Sequence, residues 1–210
     1  IRELDAILDR IGSRRPLLVT DRGLADSGLV DRVAGASSRI DADRRCFMLE
    51  AGHPSLDDVE AGARDYIEGD HDCVVALGGG SALDVGKAVA FAVAQDRPLL
   101  DFVLTDPGDG TSSAARWAAC APWVAVPTTA GTGSEVSPTA VLTDPRTGYK
   151  RSVGDPAMRT HHVVCDPALT VGLPPHLTAW TGMDALSHNL EAFLVPVVDR
   201  HADRQAVEGL

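Results

Sequence analysis

The stretch that decides the fold is CVVALGGGSALDVGK, at residues 73–87. Residues 73–77 are apolar, and a short apolar run closed by glycines indicates a buried strand. Small residues then predict a helix over 82–94 that packs tightly on a sheet. A glycine turn that opens a helix lets the backbone approach a phosphate, and the free N–H groups of the first helical turn supply donors. The pattern is neither GxGxxG nor GxxxxGK[ST], so an ordinary tight turn remains the alternative for this segment taken by itself.

Short apolar runs and helical patterns also occur on both sides of this stretch. Residues 16–20, 46–50 and 123–126 predict three further short strands, whereas 26–33 and 55–68 predict helices, the second with Ser55 as its N-cap. Apolar strands that alternate with helices indicate an α/β fold with a parallel sheet covered on both faces. Ligands of such sheets bind at the carboxyl ends of the strands. Asp21, the glycine turn and residues 127–129 all fall there, so we expect the ligand site at that edge.

The alternation of strands and helices ends at Pro174-Pro175, and residues 176–193 have a continuous helical pattern. We therefore predict a dinucleotide-binding α/β domain over 1–173 and the beginning of a helical metal-binding domain over 174–210. The chain starts at Ile1 within a helical pattern and stops at Leu210 within another. The second domain is accordingly expected to be truncated.

Composition narrows the function classes. No apolar run approaches the roughly 20 residues of a membrane span, and the first residues lack the pattern of a signal peptide. The net charge of −11 argues against nucleic acid as a partner. Four widely spaced cysteines without a CxxC pair indicate reduced thiols, which predicts a cytoplasmic protein. The polar segment 105–121 is predicted to be a mobile surface loop.

Two lysines stand among basic residues that are otherwise all arginine. They are Lys87, which follows the glycine turn, and Lys150. The position of Lys87 predicts a role near a phosphate. A second loop rich in glycine and hydroxyl groups, PTTAGTGSE at 127–135, follows the strand 123–126. By itself it is typical of a turn with capping hydroxyls, but beside the glycine turn it predicts the wall of a nucleotide site.

Asp184 and His188 lie four residues apart, and therefore on one face of the predicted helix. This spacing fits either two ligands of a metal or an intrahelical hydrogen bond. The neighbours on that side are small or apolar, namely Ala185, Leu186 and Ala192, which argues against an exposed salt bridge as the role of the pair. A catalytic metal normally needs three or more protein ligands. His161, His162 and His176 are further candidates of unknown distance.

Together these segments resemble the iron-containing (group III) alcohol dehydrogenases. The resemblance extends from about Leu17 to Phe193, and its most specific pieces are GGGSALDVGK (78–87), PTTAGTGSEVSPTAVLTD (127–144) and TGMDALSHNLEAF (181–193). It implies a Rossmann-like N-terminal domain and a helical C-terminal domain, as in dehydroquinate synthase, with the active site between them. It also implies a cytoplasmic homo-oligomer, as a dimer, that transfers hydride between NAD(H) and a small alcohol or aldehyde. The implied metal is Fe²⁺, with Zn²⁺ as the alternative.

The resemblance also implies roles for individual residues. Gly79, Gly80 and Ser81 match the pyrophosphate loop. Other cofactor contacts match Asp84, Thr128, Thr129, Thr132, Ser137, Val141 and Lys150. Asp184 and His188 match two metal ligands, and the family's other two ligands are histidines expected beyond Leu210. To these the residues themselves add Asp21, whose carboxylate at the end of the first strand can accept hydrogen bonds from the adenine ribose.

Two other functions fit the same segments. One is a metal-dependent lyase of the dehydroquinate synthase type, which is disfavoured because the basic residues needed for a phosphorylated substrate are scarce. The other is a non-catalytic nucleotide-binding or interaction module, since the chain lacks a full set of metal ligands.

Overall fold

The computed structural model describes residues 1–43, 45–50, 53–104, 119–160, 162–195 and 200–210. The predicted loop 105–121, apart from its last three residues, lies outside the described residues. So does the candidate ligand His161.

Five strands form a parallel sheet at the centre of the molecule: β1 (Pro16–Asp21), β2 (Cys46–Leu49), β3 (Cys73–Gly78), β4 (Trp123–Pro127) and β7 (His162–Val163). Their order in the sheet is β2-β1-β3-β4-β7. Leu18 pairs with Cys46 in β2, and Val75 pairs with Val124 in β4. Every pairing between neighbours is parallel, so the predicted α/β fold with a Rossmann-like parallel sheet is confirmed.

Helices cover both faces of this sheet because alternate residues of each strand point to opposite sides. Val74 and Ala76 of β3 belong to one buried cluster, whereas Cys73, Val75 and Leu77 belong to the other. The first cluster includes α4 (Leu56–Glu68) and α5 (Gly80–Ala92), and the second includes α1 (Leu4–Ile11) and α3 (Leu29–Ala34). The short α2 (Arg22–Asp26) follows β1 directly.

The order of the strands reverses next to β1. The chain passes from β1 to β2 on one side and then crosses back to β3 on the other side. In open α/β sheets, ligands bind in the crevice outside the carboxyl ends of the strands at such a point of reversal. Asp21 ends β1 and Gly78 ends β3, so these two residues border the expected crevice.

An antiparallel hairpin that the sequence did not predict packs beside α5. It consists of β5 (Thr139–Thr143) and β6 (Lys150–Gly154), and its side chains Ala140, Leu142 and Val153 are fully buried. Three short 3₁₀ turns complete the α/β part, at Leu99–Phe102, Pro156–Met158 and Pro167–Leu169. The hairpin matters for the site because it follows directly after the loop 128–137.

Two helices follow the last strand, namely α6 (Pro175–Leu194) and α7 (Arg200–Gly209), which pack on each other. The helix predicted over 176–193 is thus confirmed, whereas the division into domains at residue 173 stays a prediction. None of the side chains of α6 is fully buried. Within the described ranges, no helix combines the length and the apolar character needed to cross a membrane.

Gly86 makes the close packing of α5 on the sheet testable. An ideal Cβ at Gly86 would lie 2.5 Å from the Cβ of Ala76 in β3, which is too close without a shift of the helix. We expect Gly86→Ala to lower the free energy of unfolding by about 1–3 kcal/mol, as overpacking does. Urea denaturation measures this change. Gly172→Ala is the matched control, because an ideal Cβ there meets nothing within 4 Å. Equal stability of the two variants would contradict the packing.

Candidate functional site

The glycine turn between β3 and α5 forms the floor of the candidate site. Gly78 has a φ of 153°, which favours glycine, and an ideal Cβ there would lie 2.6 Å from that of Ala82. Gly79 is the N-cap of α5, and no side chain caps the helix. The first helical hydrogen bond runs from the Leu83 N–H to the Gly79 carbonyl, at 3.1 Å. The N–H groups of the first turn are therefore available to an external acceptor, which suits an anion.

The loop after β4 forms a wall beside this floor. The Thr128 N–H donates to the Gly78 carbonyl at 3.0 Å, so the loop starts against the turn. An ideal Cβ at Gly79 would lie 3.3 Å from Thr129 Cγ2, and one at Gly80 would lie 3.1 Å from Thr132 Cγ2. The two glycines thus keep open a cradle that side chains would fill. The sequence prediction that this loop lies beside the glycine turn is confirmed.

Thr129 provides an independent indication of a ligand. Its Oγ1 is buried and has no hydrogen-bond partner among the described residues. Buried hydroxyl groups are normally paired, because an unpaired one costs free energy. A hydroxyl beside the glycine cradle and the free N–H groups of α5 fits the oxygens of a bound phosphate. The residues present therefore fit the pyrophosphate of a dinucleotide.

Asp21 borders the other side of the turn. Its Oδ1 accepts the Leu24 N–H at 3.0 Å and caps α2, and its Oδ2 lies 3.3 Å from an ideal Cβ at Gly78. One oxygen of the Asp21 carboxylate therefore caps α2, and the other faces the glycine turn. The neighbouring Arg22 donates to Glu50 Oε1 at 2.9 Å. Arg22 is paired there with a carboxylate at the end of β2.

Lys87 does not serve a phosphate, so that prediction is wrong. Its side chain is completely buried, and its Nζ donates to the Thr139 carbonyl at 2.5 Å and to Asp84 Oδ1 at 3.4 Å. Burial lowers the pKa of the Lys87 amine, and the charge of Asp84 opposes that shift. Asp84 Oδ2 accepts the Val141 N–H at 2.9 Å. Both oxygens of Asp84 therefore face partners inside the protein.

Of the remaining cofactor candidates, three lie in or next to the hairpin and one lies in α5. Ser137 Oγ lies 2.7 Å from Thr139 Oγ1 and accepts the Thr139 N–H at 3.1 Å. The side chain of Val141 is exposed. Lys150 is exposed at the start of β6 and pairs with Thr143, at the end of the hairpin away from Thr139. Ser81 is exposed in the first turn of α5. The cofactor roles of these residues stay predictions.

Asp184 and His188 face each other on α6, with 3.6 Å between Asp184 Oδ1 and His188 Nε2. Two donors that each lie about 2.0–2.2 Å from one ion are themselves about 3–3.6 Å apart. His188 Nδ1 lies 3.2 Å from the Gly131 carbonyl. A donated Nδ1–H would fix the tautomer and leave the Nε2 lone pair for a metal, as partners of metal-binding histidines do. The pair therefore fits two ligands of a divalent ion.

Gly131 also places Asp184 and His188 beside the loop that follows β4. An ideal Cβ at Gly131 would lie 2.1 Å from the Thr181 carbonyl oxygen, so any side chain there would push α6 away. Sequence reasoning missed this contact, although the glycine stands in a recognised loop. The pair is only partly shielded, with 43% of the Asp184 side chain and 53% of the His188 side chain exposed.

The two other histidine candidates that the structure describes, His162 and His176, form no ligand group with the pair. His176 packs edge-on against Trp180 at 5.0 Å between ring centroids, and it lies twelve residues before His188 on α6, about 18 Å along the helix. His162 lies in β7. In the parts of the chain that the structure describes, no three His, Cys, Asp or Glu side chains are grouped as metal ligands.

Comparison with known proteins connects this geometry to one family. The family model of the iron-containing alcohol dehydrogenases matches residues 1–167. A 4-hydroxybutyrate dehydrogenase of Cupriavidus necator is 39% identical over 204 residues, which are 96% of this chain and 51% of that protein. An NAD-dependent methanol dehydrogenase of Bacillus methanolicus is 34% identical over 206 residues, which are 96% of this chain and 52% of that protein.

A solved structure gives the same result. The crystal structure of sulfoacetaldehyde reductase from Bifidobacterium kashiwanohense in complex with NAD⁺ matches with a TM-score of 0.79 and 35% identity. The match covers 91% of this chain and 49% of that one. The chain thus spans about half the length of the curated relatives and the solved structure that it matches.

Proposed function

The chain belongs to the iron-containing alcohol dehydrogenase family, and on this premise we propose that it binds NAD(H) for hydride transfer to or from a small alcohol or aldehyde. The observation that carries the proposal is the glycine cradle at the reversal of strand order, with the unpaired Thr129 hydroxyl beside it. The Asp184–His188 pair touches the same loop through Gly131. A nucleotide site and a pair of metal ligands therefore share one wall.

The order of the site residues along the sheet edge supports one orientation of the cofactor. Asp21 follows β1, the glycine turn follows β3 and the loop with Gly131 follows β4, and these three strands are neighbours. Adjacent strands lie about 4.8 Å apart, so an extended dinucleotide can span all three. We place the adenine ribose at Asp21, the pyrophosphate on the turn and the nicotinamide near the loop and α6.

Each group of residues then has a separate task. The N–H groups of Gly80 and Ser81 and the hydroxyls of Thr129 and Thr132 hold the pyrophosphate. Asp184 and His188 hold a divalent metal, Fe²⁺ or Zn²⁺, and the Gly131 carbonyl orients the His188 ring. When bound, NAD supplies the hydride acceptor or donor, and the metal supplies a Lewis acid for the substrate oxygen.

The proposal extends to the setting of the enzyme. The four cysteines are all free, and thiols persist in a reducing compartment, which supports a cytoplasmic location. The partly exposed apolar side chains of α6, such as Trp180, Leu190 and Phe193, support further contacts of this helix. We propose that the helical part continues the metal site as a second domain, and that the enzyme is a homo-oligomer. Its substrate is one small alcohol or aldehyde.

Binding of NADH tests the proposal directly. A fluorescence titration of residues 1–210 with NADH should give saturable binding, and competition with 5′-AMP should displace it, since both ligands use the site at Asp21. A chain that is folded by circular dichroism but does not bind NADH would contradict the proposed function.

Asp21 is expected to set a preference for NADH over NADPH. Its free oxygen can accept hydrogen bonds from the ribose hydroxyls, and its charge would repel a 2′-phosphate. Arg22 offers little compensation, because it is paired with Glu50. Asp21→Gly should narrow the ratio of the two dissociation constants by about tenfold or more, equivalent to about 1.4 kcal/mol. Asp26→Asn serves as the charge-matched control. A wild-type preference for NADPH would contradict this role of Asp21.

A further inference from the structure

Lys87 and Asp84 form an ion pair inside the protein that connects α5 to the hairpin. The Lys87 side chain is fully buried and that of Asp84 is 12% exposed. Lys87 Nζ donates to the Thr139 carbonyl, and Asp84 Oδ2 accepts the Val141 N–H. The backbone of β5 is therefore attached to α5 at two points two residues apart.

A buried ion pair of this kind is weak evidence for a stabilising role. Replacing a buried ion pair by apolar residues of similar volume is often neutral or stabilising, because both charges lose their hydration. The geometry that the pair imposes gives a better reason for its presence. The charged groups hold the backbone of β5 by directional bonds, which an apolar contact cannot do.

The segment that this geometry fixes is the loop 128–137. Its first residue is bonded to the turn, since the Thr128 N–H donates to the Gly78 carbonyl. Its end leads into Thr139, which is bonded to Lys87. Both ends of the loop are thus attached to the unit formed by β3, the glycine turn and α5, and between them Thr129 and Thr132 lie against Gly79 and Gly80.

We infer that Lys87 and Asp84 are positioning residues that hold the loop 128–137 against the glycine turn, so that Thr129 and Thr132 meet the pyrophosphate of the cofactor. This inference rests on the proposed function, in which the turn binds a dinucleotide. It assigns Asp84 an indirect role through Val141. It also predicts that the pair matters for the pyrophosphate–nicotinamide half of the cofactor and not for the adenosine half at Asp21.

Two variants separate positioning from stability. Lys87→Met keeps most of the length of the side chain and removes its charge, but it leaves the Asp84 carboxylate buried and uncompensated, so the variant should be destabilised. The double variant Lys87→Met/Asp84→Asn carries no buried charge, and the amide oxygen of the new asparagine side chain can still accept the Val141 N–H. We expect its melting temperature to lie above that of Lys87→Met, because the unpaired Thr139 carbonyl and amide hydrogens cost less than an uncompensated buried charge. Arg204→Met, which breaks the exposed Arg204–Glu208 pair on α7, is the control.

The readout is the difference between two ligands. The double variant should bind NADH about tenfold more weakly, as expected for a lost charge-assisted hydrogen bond, while its affinity for adenosine, which has no phosphate, stays at the wild-type value. Amide hydrogen exchange should become faster in peptides covering 128–143 and stay unchanged in those covering 73–78. The Arg204→Met control should change none of these quantities.

Several results would overturn the inference. NADH affinity and exchange rates equal to those of the wild type in the double variant would show that the pair does not position the loop. An equal loss of NADH and adenosine affinity would indicate a general disturbance of the fold. Failure of the wild type to bind NADH would instead contradict the proposed function, and the exchange rates of the loop would still test the inference.

Discussion

Gly80→Val is expected to weaken NADH binding by at least about 100-fold, equivalent to about 2.7 kcal/mol, while the protein stays folded. The Cβ of the new side chain would lie 3.1 Å from Thr132 Cγ2 and 3.4 Å from Ser134 Oγ, so it would occupy the gap between the turn and the loop. Its two methyl groups would then project into the space that the pyrophosphate needs. They would also cover the N–H groups at the start of α5, which are the donors for the phosphate oxygens.

The measurement is a fluorescence titration with NADH, accompanied by circular dichroism to verify the fold. Gly172→Val is the control, because it introduces the same side chain at a position where an ideal Cβ meets nothing within 4 Å. The control should bind NADH as the wild type does. NADH affinity at the wild-type level in Gly80→Val would show that the turn is structural and that the cofactor binds elsewhere.

The sequence predicted the strands in which nearly every side chain is buried. The strands at 16–20, 73–77 and 123–126 are continuous apolar runs because helices cover both faces of a parallel sheet, and the structure places each of them within one residue of the prediction. The location of the site followed from the same argument, since the carboxyl ends of parallel strands meet at one edge. Asp21, the glycine turn and Thr128 were therefore correctly placed together at that edge.

The sequence did not predict the hairpin of β5 and β6. Its strands are short and partly exposed, and only alternate residues of β5, Ala140 and Leu142, are buried. The hydroxyl and glycine pattern predicts a loop over 127–135, and no element is predicted over 136–144. The buried face of the hairpin depends on packing against α5, which is a long-range contact without a local signal.

The wrong prediction for Lys87 has a similar cause. Seven residues separate it from Gly80, which is about 10 Å along a helix, so its amine begins two turns away from the phosphate site. The partner that it found, the Thr139 carbonyl, belongs to the hairpin that the sequence did not predict. The position of Lys87 close to a phosphate loop in the sequence indicated that its charge has a role. It did not indicate that the partner of this charge is the Thr139 carbonyl.

Residues 1–210 are expected to bind Zn²⁺ weakly, and His188→Ala should eliminate this binding. Asp184 and His188 provide two donors, and about half of each side chain is exposed to water that competes for the ion. Catalytic zinc normally has three protein ligands, and no third group joins the pair among the described residues. We therefore expect no aldehyde reduction by these 210 residues with NADH and Zn²⁺ or Fe²⁺, although NADH itself should bind.

Isothermal titration with Zn²⁺ separates the contributions of the two ligands. Loss of an outer partner of a metal ligand costs about 10- to 100-fold in affinity, so loss of one of two direct ligands should cost at least that much. Asp184→Asn should weaken binding similarly, because a neutral amide replaces the carboxylate. His176→Ala is the control, since His176 is an exposed histidine on the same helix about 18 Å away.

Tight Zn²⁺ binding that persists in His188→Ala would place the metal at other residues. Aldehyde reduction by the unmodified 210 residues would mean that a further side chain completes the site. Weak binding that both substitutions remove would assign the pair on α6 to the metal, next to the loop that holds the cofactor.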